Sequence, residues 1–142
     1  MYEVVRTKPA GSIEDAALLR GVAVDSILKT LVVRRAEDDH VFVILTGDRA
    51  IDWVKLRRLL GVRRLSMPDA GQAQALTGYE RGAITPFGSD RSLPVVVDQA
   101  VASKGDVSIG GGARGVSVRF DASDLITALG GQVADVSRQM GP

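Results

Sequence analysis

The chain has no cysteine and, among its 142 residues, a single histidine, His40. These absences exclude disulfide scaffolds, thiol nucleophiles, Cys/His zinc sites and His-rich metal centres. Aromatic residues make up only 4% of the chain, so the core is expected to consist of Val, Leu, Ile and Ala. Net charge is almost absent: 18 Lys and Arg against 17 Asp and Glu leave +1. Attraction to nucleic acid then has to come from a local patch. No apolar run is long enough for a transmembrane helix. The first residues, Met1 to Arg6, lack the apolar stretch of a signal peptide. A cytoplasmic location without membrane contact is expected. A Ser-His-Asp triad would have to use His40, which reads as part of the exposed acidic turn Glu37-Asp38-Asp39. No catalytic role is assigned to it.

What remains is the composition of an ordinary globular domain, 45% hydrophobic and 25% charged. The length suits one domain spanning 1–142, which needs no disulfide or structural metal to hold it. Ser12, with Asp15 three residues on, opens a helix that Gly21 stops. Two β-branched apolar runs, Lys29 to Arg35 and Val41 to Thr46, flank a polar turn and predict an antiparallel hairpin near the centre of a sheet. Asp52 caps a second helix that ends at Gly61, and Pro68-Asp69 starts a third that ends at Leu76. Arg63 to Ser66 reads as a short strand between them. Leu93 to Asp98, Asp106 to Ile109 and Val116 to Phe120 read as strands, with a last helix to Leu129. Consecutive strands without an intervening helix argue against a doubly wound parallel fold. The expected class is α+β, with a mixed, mostly antiparallel sheet curled like an open barrel and flanked by helices.

Four features invite a chemical reading. Lys29 shares an apolar strand face with Ile27, Leu31 and Val33. It is either a lysine snorkelling from a strand end or an anion anchor at a pocket rim. The stretch Gly82-Ala83-Ile84-Thr85-Pro86-Phe87-Gly88 can present backbone N–H groups to a ligand, or simply connect two elements. The run Gly110-Gly111-Gly112-Ala113-Arg114-Gly115 reads as an anion-binding nest or a wide hairpin turn, and lacks the ending of a P-loop. Lys55, Arg57, Arg58, Arg63 and Arg64 form a basic stretch without an intervening acid. It is a solvated helix face or a contact to an RNA backbone.

Taken in order, these pieces resemble the YbaK/prolyl-tRNA-synthetase-associated aminoacyl-tRNA editing domains. The resemblance rests on Ile27-Leu28-Lys29-Thr30-Leu31-Val32, Leu59-Leu60-Gly61, Thr77-Gly78-Tyr79, Gly82 to Gly88, Val96-Val97-Asp98, Gly111 to Gly115 and Asp124-Leu125. It covers about Ser12 to Ser137. It implies hydrolysis of the ester between a wrong amino acid and the 3′ ribose of a tRNA, most readily of the tRNA(Pro) type. No cofactor and no metal are implied. Lys29 matches the family lysine that holds the terminal phosphate, and Gly82 the first glycine of a loop that approaches the aminoacyl carbonyl. Lys29 and Gly82 are thus the expected catalytic positions. Leu28, Thr30, Thr46, Ala83, Ile84, Thr85, Pro86, Phe87, Gly111 and Gly112 are expected around the substrate. Lys55, Arg57, Arg58, Arg63 and Arg64 are expected on tRNA. Prolyl-tRNA synthetase is the candidate protein partner. The family loop Gly-Gly-Ile-Ser-Pro is here Gly82-Ala83-Ile84-Thr85-Pro86, and Ser117 stands where some relatives carry an acid. These departures keep two rivals open: a binding module of the same fold without turnover, and a hydrolase of small esters or amides.

Overall fold

The computed structural model describes residues 2–80, 83–89 and 92–140. Among these residues nine strands and five α-helices follow one another as β1 (Tyr2–Arg6), α1 (Ile13–Arg20), β2 (Leu28–Ala36), β3 (Asp39–Thr46), β4 (Arg49–Ile51), α2 (Trp53–Leu60), α3 (Ala70–Thr77), β5 (Val95–Asp98), α4 (Gln99–Ala102), β6 (Asp106–Gly110), β7 (Val116–Asp121), α5 (Ala122–Leu129), β8 (Gln132–Ala134) and β9 (Ser137–Gln139). The class is α+β, as expected.

The helices begin and end where their polar residues dictate. Ser12 Oγ accepts from Asp15 N–H at 3.0 Å, and Gly21 closes α1 at φ +69°. Asp52 accepts from two N–H groups of α2, and Asp69 and Gln72 form a reciprocal capping box on α3. Asp121 caps α5. Each cap satisfies backbone donors that the helix itself cannot.

The main sheet runs β2-β3-β5-β8, antiparallel between β2 and β3 and parallel thereafter. A second, antiparallel sheet runs β1-β7-β6, and β4 pairs with β9 in a two-stranded ribbon. Among the described residues one bridge, Ile27 to Ser108, joins the two larger sheets. The arrangement is curled but not closed. Strand β3 is central and buried from His40 to Thr46. Its unbroken apolar run reflects burial on both faces. On one face Leu28, Ile44 and Val97 pack against Val107 and Ile109 of β6 and Leu125 of α5. On the other, Val33, Val43, Leu45 and Val96 pack against Ile51, Leu56 and Val136.

Three expectations are corrected. The β2–β3 hairpin lies at one end of the main sheet, because among the described residues β2 has no ladder on its outer side. Arg63 to Ser66 contributes only one bridge, Ser66 to Arg34, and not a strand. His40 is 8% exposed, since β3 begins at Asp39 and draws it into the sheet.

Candidate functional site

The open edge of β2 creates the site. Between the bridges at Ile27 and Arg34 the outer side of this strand meets no other strand among the described residues. A cavity of about 670 Å³ fills the gap. Its walls are Leu28 to Val32 of β2, Ser12, Ile13, Ala16 and Arg20 around α1, Met67 to Ala70 before and at the start of α3, and Ile84, Gly110, Arg114 and Gly115. That is the size of an ordinary small-molecule site.

Lys29 and Ile84 reach this hollow from opposite sides of the strand. Lys29 pairs with Leu45 and leaves the sheet on the α2 face. Ile84 packs with Val32 and Phe42 on the other face. The cavity therefore wraps around the free edge of β2. The Lys29 ammonium lies 3.9 Å from Met140 Sδ. Burial holds it below the ordinary lysine range, and the negative charge of Asp48 offsets part of that effect. Thr30 Oγ1 is buried and makes no hydrogen bond among the described residues. Such a hydroxyl is costly to bury unless a ligand completes it.

Charge around the cavity is lopsided. Arg20, Lys29 and Arg114 stand against one carboxylate, Asp69, among the described residues of the wall. Asp69 is already engaged with the Gln72 N–H at 2.8 Å. The site suits an anion.

Several expected substrate contacts have other surroundings. Thr46 is buried and donates to Asp48 Oδ1 at 2.7 Å. Ala83 is 2% exposed and its N–H donates to the Glu80 carbonyl at 2.9 Å. Thr85 is also buried, with its hydroxyl facing the Phe87 N–H at 3.4 Å. The Phe87 ring stacks on Phe120. Thr46, Ala83, Thr85, Pro86, Phe87, Gly111 and Gly112 are not among the cavity walls, whereas Leu28, Lys29, Thr30 and Ile84 are. Gly82 lies outside the described residues. Gly111 has its N–H on the Val116 carbonyl, and a Cβ at Gly112 would meet the Tyr79 ring at 2.7 Å. Here the glycines serve the turn and its packing. Sequence reasoning missed Arg20 and the α1 wall. Arg114 was visible only as part of a glycine-rich run.

A second, shallower hollow of about 490 Å³ is lined by Arg34, Arg35, Arg57, Arg63, Arg64, Leu65 and Ser66. It adjoins the cavity across the Arg34–Ser66 bridge, since the next residue, Met67, belongs to the cavity wall. Lys55 does not join it: its ammonium pairs with Asp135 at 2.9 Å and donates to the Ser137 carbonyl. Arg58 is not among its walls either.

The geometry has counterparts in known proteins. Residues 7–128 match the aminoacyl-tRNA editing domain. A candidate Cys-tRNA(Pro)/Cys-tRNA(Cys) deacylase of Enterococcus faecalis, EbsC, is 24% identical over 96% of this chain and 83% of its own length. The proline–tRNA ligase of Pelobacter propionicus is 33% identical over 70% of this chain, which spans only 17% of that enzyme. The crystal structure of a candidate trans-editing enzyme for prolyl-tRNA synthetase superposes with a TM-score of 0.87 at 28% identity, covering 99% of this chain and 87% of the other. With the match extending over most of its length, this chain belongs to the aminoacyl-tRNA editing domain family.

Proposed function

We propose that the chain is a trans-acting aminoacyl-tRNA deacylase, acting in the cytoplasm on mischarged tRNA of the tRNA(Pro) type. One observation carries the reading. A single cavity joins a partly buried ammonium, two further cations and the Ile84 loop around an unpaired hydroxyl. Such a site fits an aminoacylated terminal nucleotide, which is anionic at its phosphate and compact at its ester.

In this mechanism Lys29 holds the terminal phosphate as a point charge and thereby orients the ester. The Ala83 N–H is already spent on Glu80. The carbonyl is therefore assigned to the Ile84 N–H, with Gly82 as the second donor expected from the loop sequence. Water attacks the carbonyl carbon, and the negative charge collects on the carbonyl oxygen. The bond to the ribose 3′ oxygen then breaks, and the neighbouring 2′ hydroxyl relays the water proton to it. A free amino acid and an intact tRNA 3′ end result. No step requires a metal or a protein nucleophile. Selection among amino acids is steric, and one methylene is worth only about 1–3 kcal/mol. The tRNA stem is assigned to the arginine-lined hollow beside the cavity, and prolyl-tRNA synthetase to the role of tRNA donor.

The competing reading is a tRNA-binding module without turnover, favoured by the engaged Ala83 N–H. A panel of mischarged tRNAs, beginning with Ala-tRNA(Pro) and Cys-tRNA(Pro), separates the two at enzyme well below substrate. Multiple turnovers on one of them support deacylation. Binding of all without release of amino acid rejects it.

A further inference from the structure

Arg20 is a cation in an unusual position. It ends α1, where a positive charge favours the helix dipole without leaving water. Here the guanidinium instead turns inward: Nη1 donates to Ser108 Oγ at 3.2 Å, and Ser108 is fully buried on β6. No carboxylate among the described residues lies within ion-pair distance of it. Burial pushes its pKa down, as expected for a charge with no counter-ion. A guanidinium carries five N–H donors, and one neutral hydroxyl satisfies only one of them. The same residue lines the cavity, as does Thr30 with its unpartnered hydroxyl.

We propose that Arg20, braced by Ser108, receives a second phosphate of the single-stranded 3′ end of the tRNA, distinct from the phosphate held by Lys29. The inference rests on the deacylase reading for the identity of the strand. The anion site itself follows from a partly buried cation facing a cavity. Arginine suits the role because its planar fork grips two phosphate oxygens at once. Two anchors on successive phosphates fix the direction of the strand as well as its end.

The test is binding of a short single-stranded RNA ending in CCA, without an amino acid, to the full chain across a range of salt. For single strands each phosphate contact contributes about 0.7 to the slope of log affinity against log salt. Arg20→Gln is expected to lower the slope by about 0.7 and affinity about tenfold at low salt. Arg20→Lys is expected to keep the slope and recover part of the affinity. Arg20→Gln with Lys29→Gln should lower the slope twice as far as either alone. An unchanged slope in Arg20→Gln overturns the proposal. So does a double variant no worse than Lys29→Gln alone, which would mean one shared phosphate. Should Arg20→Gln fail to fold, Ser108→Ala keeps the charge but removes its brace. It should keep the slope and weaken binding several-fold, and full affinity there also overturns the proposal. If the wild-type chain binds no CCA strand, this proposal falls, and turnover on the mischarged-tRNA panel decides the deacylase reading separately. If it binds but ignores Arg20, only this one falls.

Discussion

The Tyr79 hydroxyl donates to the Phe87 carbonyl at 2.6 Å, and the same ring occupies the space beside Gly112. One side chain thus braces the 83–88 segment against the β6–β7 turn. Tyr79→Phe is expected to cost about 1 kcal/mol of stability in urea unfolding, the usual worth of one hydrogen bond. It should also lower deacylation turnover several-fold, with KM for tRNA unchanged. Gly112→Ala should cost more, about 1–3 kcal/mol, because its Cβ would strike the ring at a φ of +91°. A stable, fully active Tyr79→Phe would remove the brace from the account.

Lys29 separates function from stability. Its ammonium is partly desolvated and lies against the Met140 sulfur, with Asp48 as a nearby charge. Lys29→Met is expected to reduce deacylation about 100-fold or more, the cost of truncating a buried charge contact, while stability stays level or rises. The pH dependence has a definite sign. The folded pKa is lowered, so the unfolded chain binds more protons between that value and the ordinary lysine range. Stability should therefore rise with pH across this window, and Lys29→Met should lack that rise. Phosphate binding should fade over the same window, as the ammonium loses its proton. Paired pH series of unfolding free energy and tRNA affinity check both. A pH-independent difference between wild type and variant would contradict them.

The two basic groups read together in the sequence should behave differently. Arg63→Glu with Arg64→Glu should weaken tRNA binding and reduce its salt slope by about 0.9 for each duplex phosphate that is no longer neutralised. Lys55→Ala should leave tRNA affinity nearly unchanged, because Asp135 and Ser137 already hold that ammonium. An exposed pair of this kind is worth about 0.2–1 kcal/mol. Filter-binding titrations at several salt concentrations decide between them. Equal weakening in the two variants would argue against the hollow as the tRNA-binding surface.

Asp98 is fully buried and ties the C-terminal segment to the main sheet. Its carboxylate accepts from the Ala100 and Val136 N–H groups at 3.1 Å, and Arg49 Nε lies 4.0 Å away. Asp98→Ala strands two backbone donors and should cost about 3 kcal/mol in denaturant unfolding. A change below about 1 kcal/mol would mean that water replaces the carboxylate.

Caps and apolar runs made most of the fold readable. Ser12, Asp52 and Asp69 announced α1, α2 and α3, and the runs around Val32 and Val43 announced β2 and β3. Strands β4, β8 and β9 span three residues each, too few to show a period of two. The edge position of β2 was hidden because its apolar run suits a central strand equally well. At the site, Lys29 stood out as a charge among apolar neighbours, and Leu28, Thr30 and Ile84 do meet it around one cavity. Arg20 gave no signal, since an arginine in the last turn of a helix is ordinary. The bridge from Ile27 to Ser108 and the packing of Val107 and Ile109 bring β6 beneath it, a long-range arrangement. Thr46 and Gly112 stand outside that cavity wall, with Asp48 and Tyr79 as neighbours. The first pairing is local, two residues along the chain, whereas the second joins residues 33 apart and is not encoded locally.

The most direct measurement is a structure of the chain with a non-hydrolysable, amide-linked aminoacyl analogue of the terminal adenosine 5′-phosphate. The account predicts its phosphate within hydrogen-bonding distance of Lys29 Nζ, displaced from Met140, and its carbonyl at the Ile84 N–H within the cavity edged by β2. An analogue bound elsewhere, or seated there with Lys29 still against Met140 and the carbonyl away from the Ile84 loop, would contradict it.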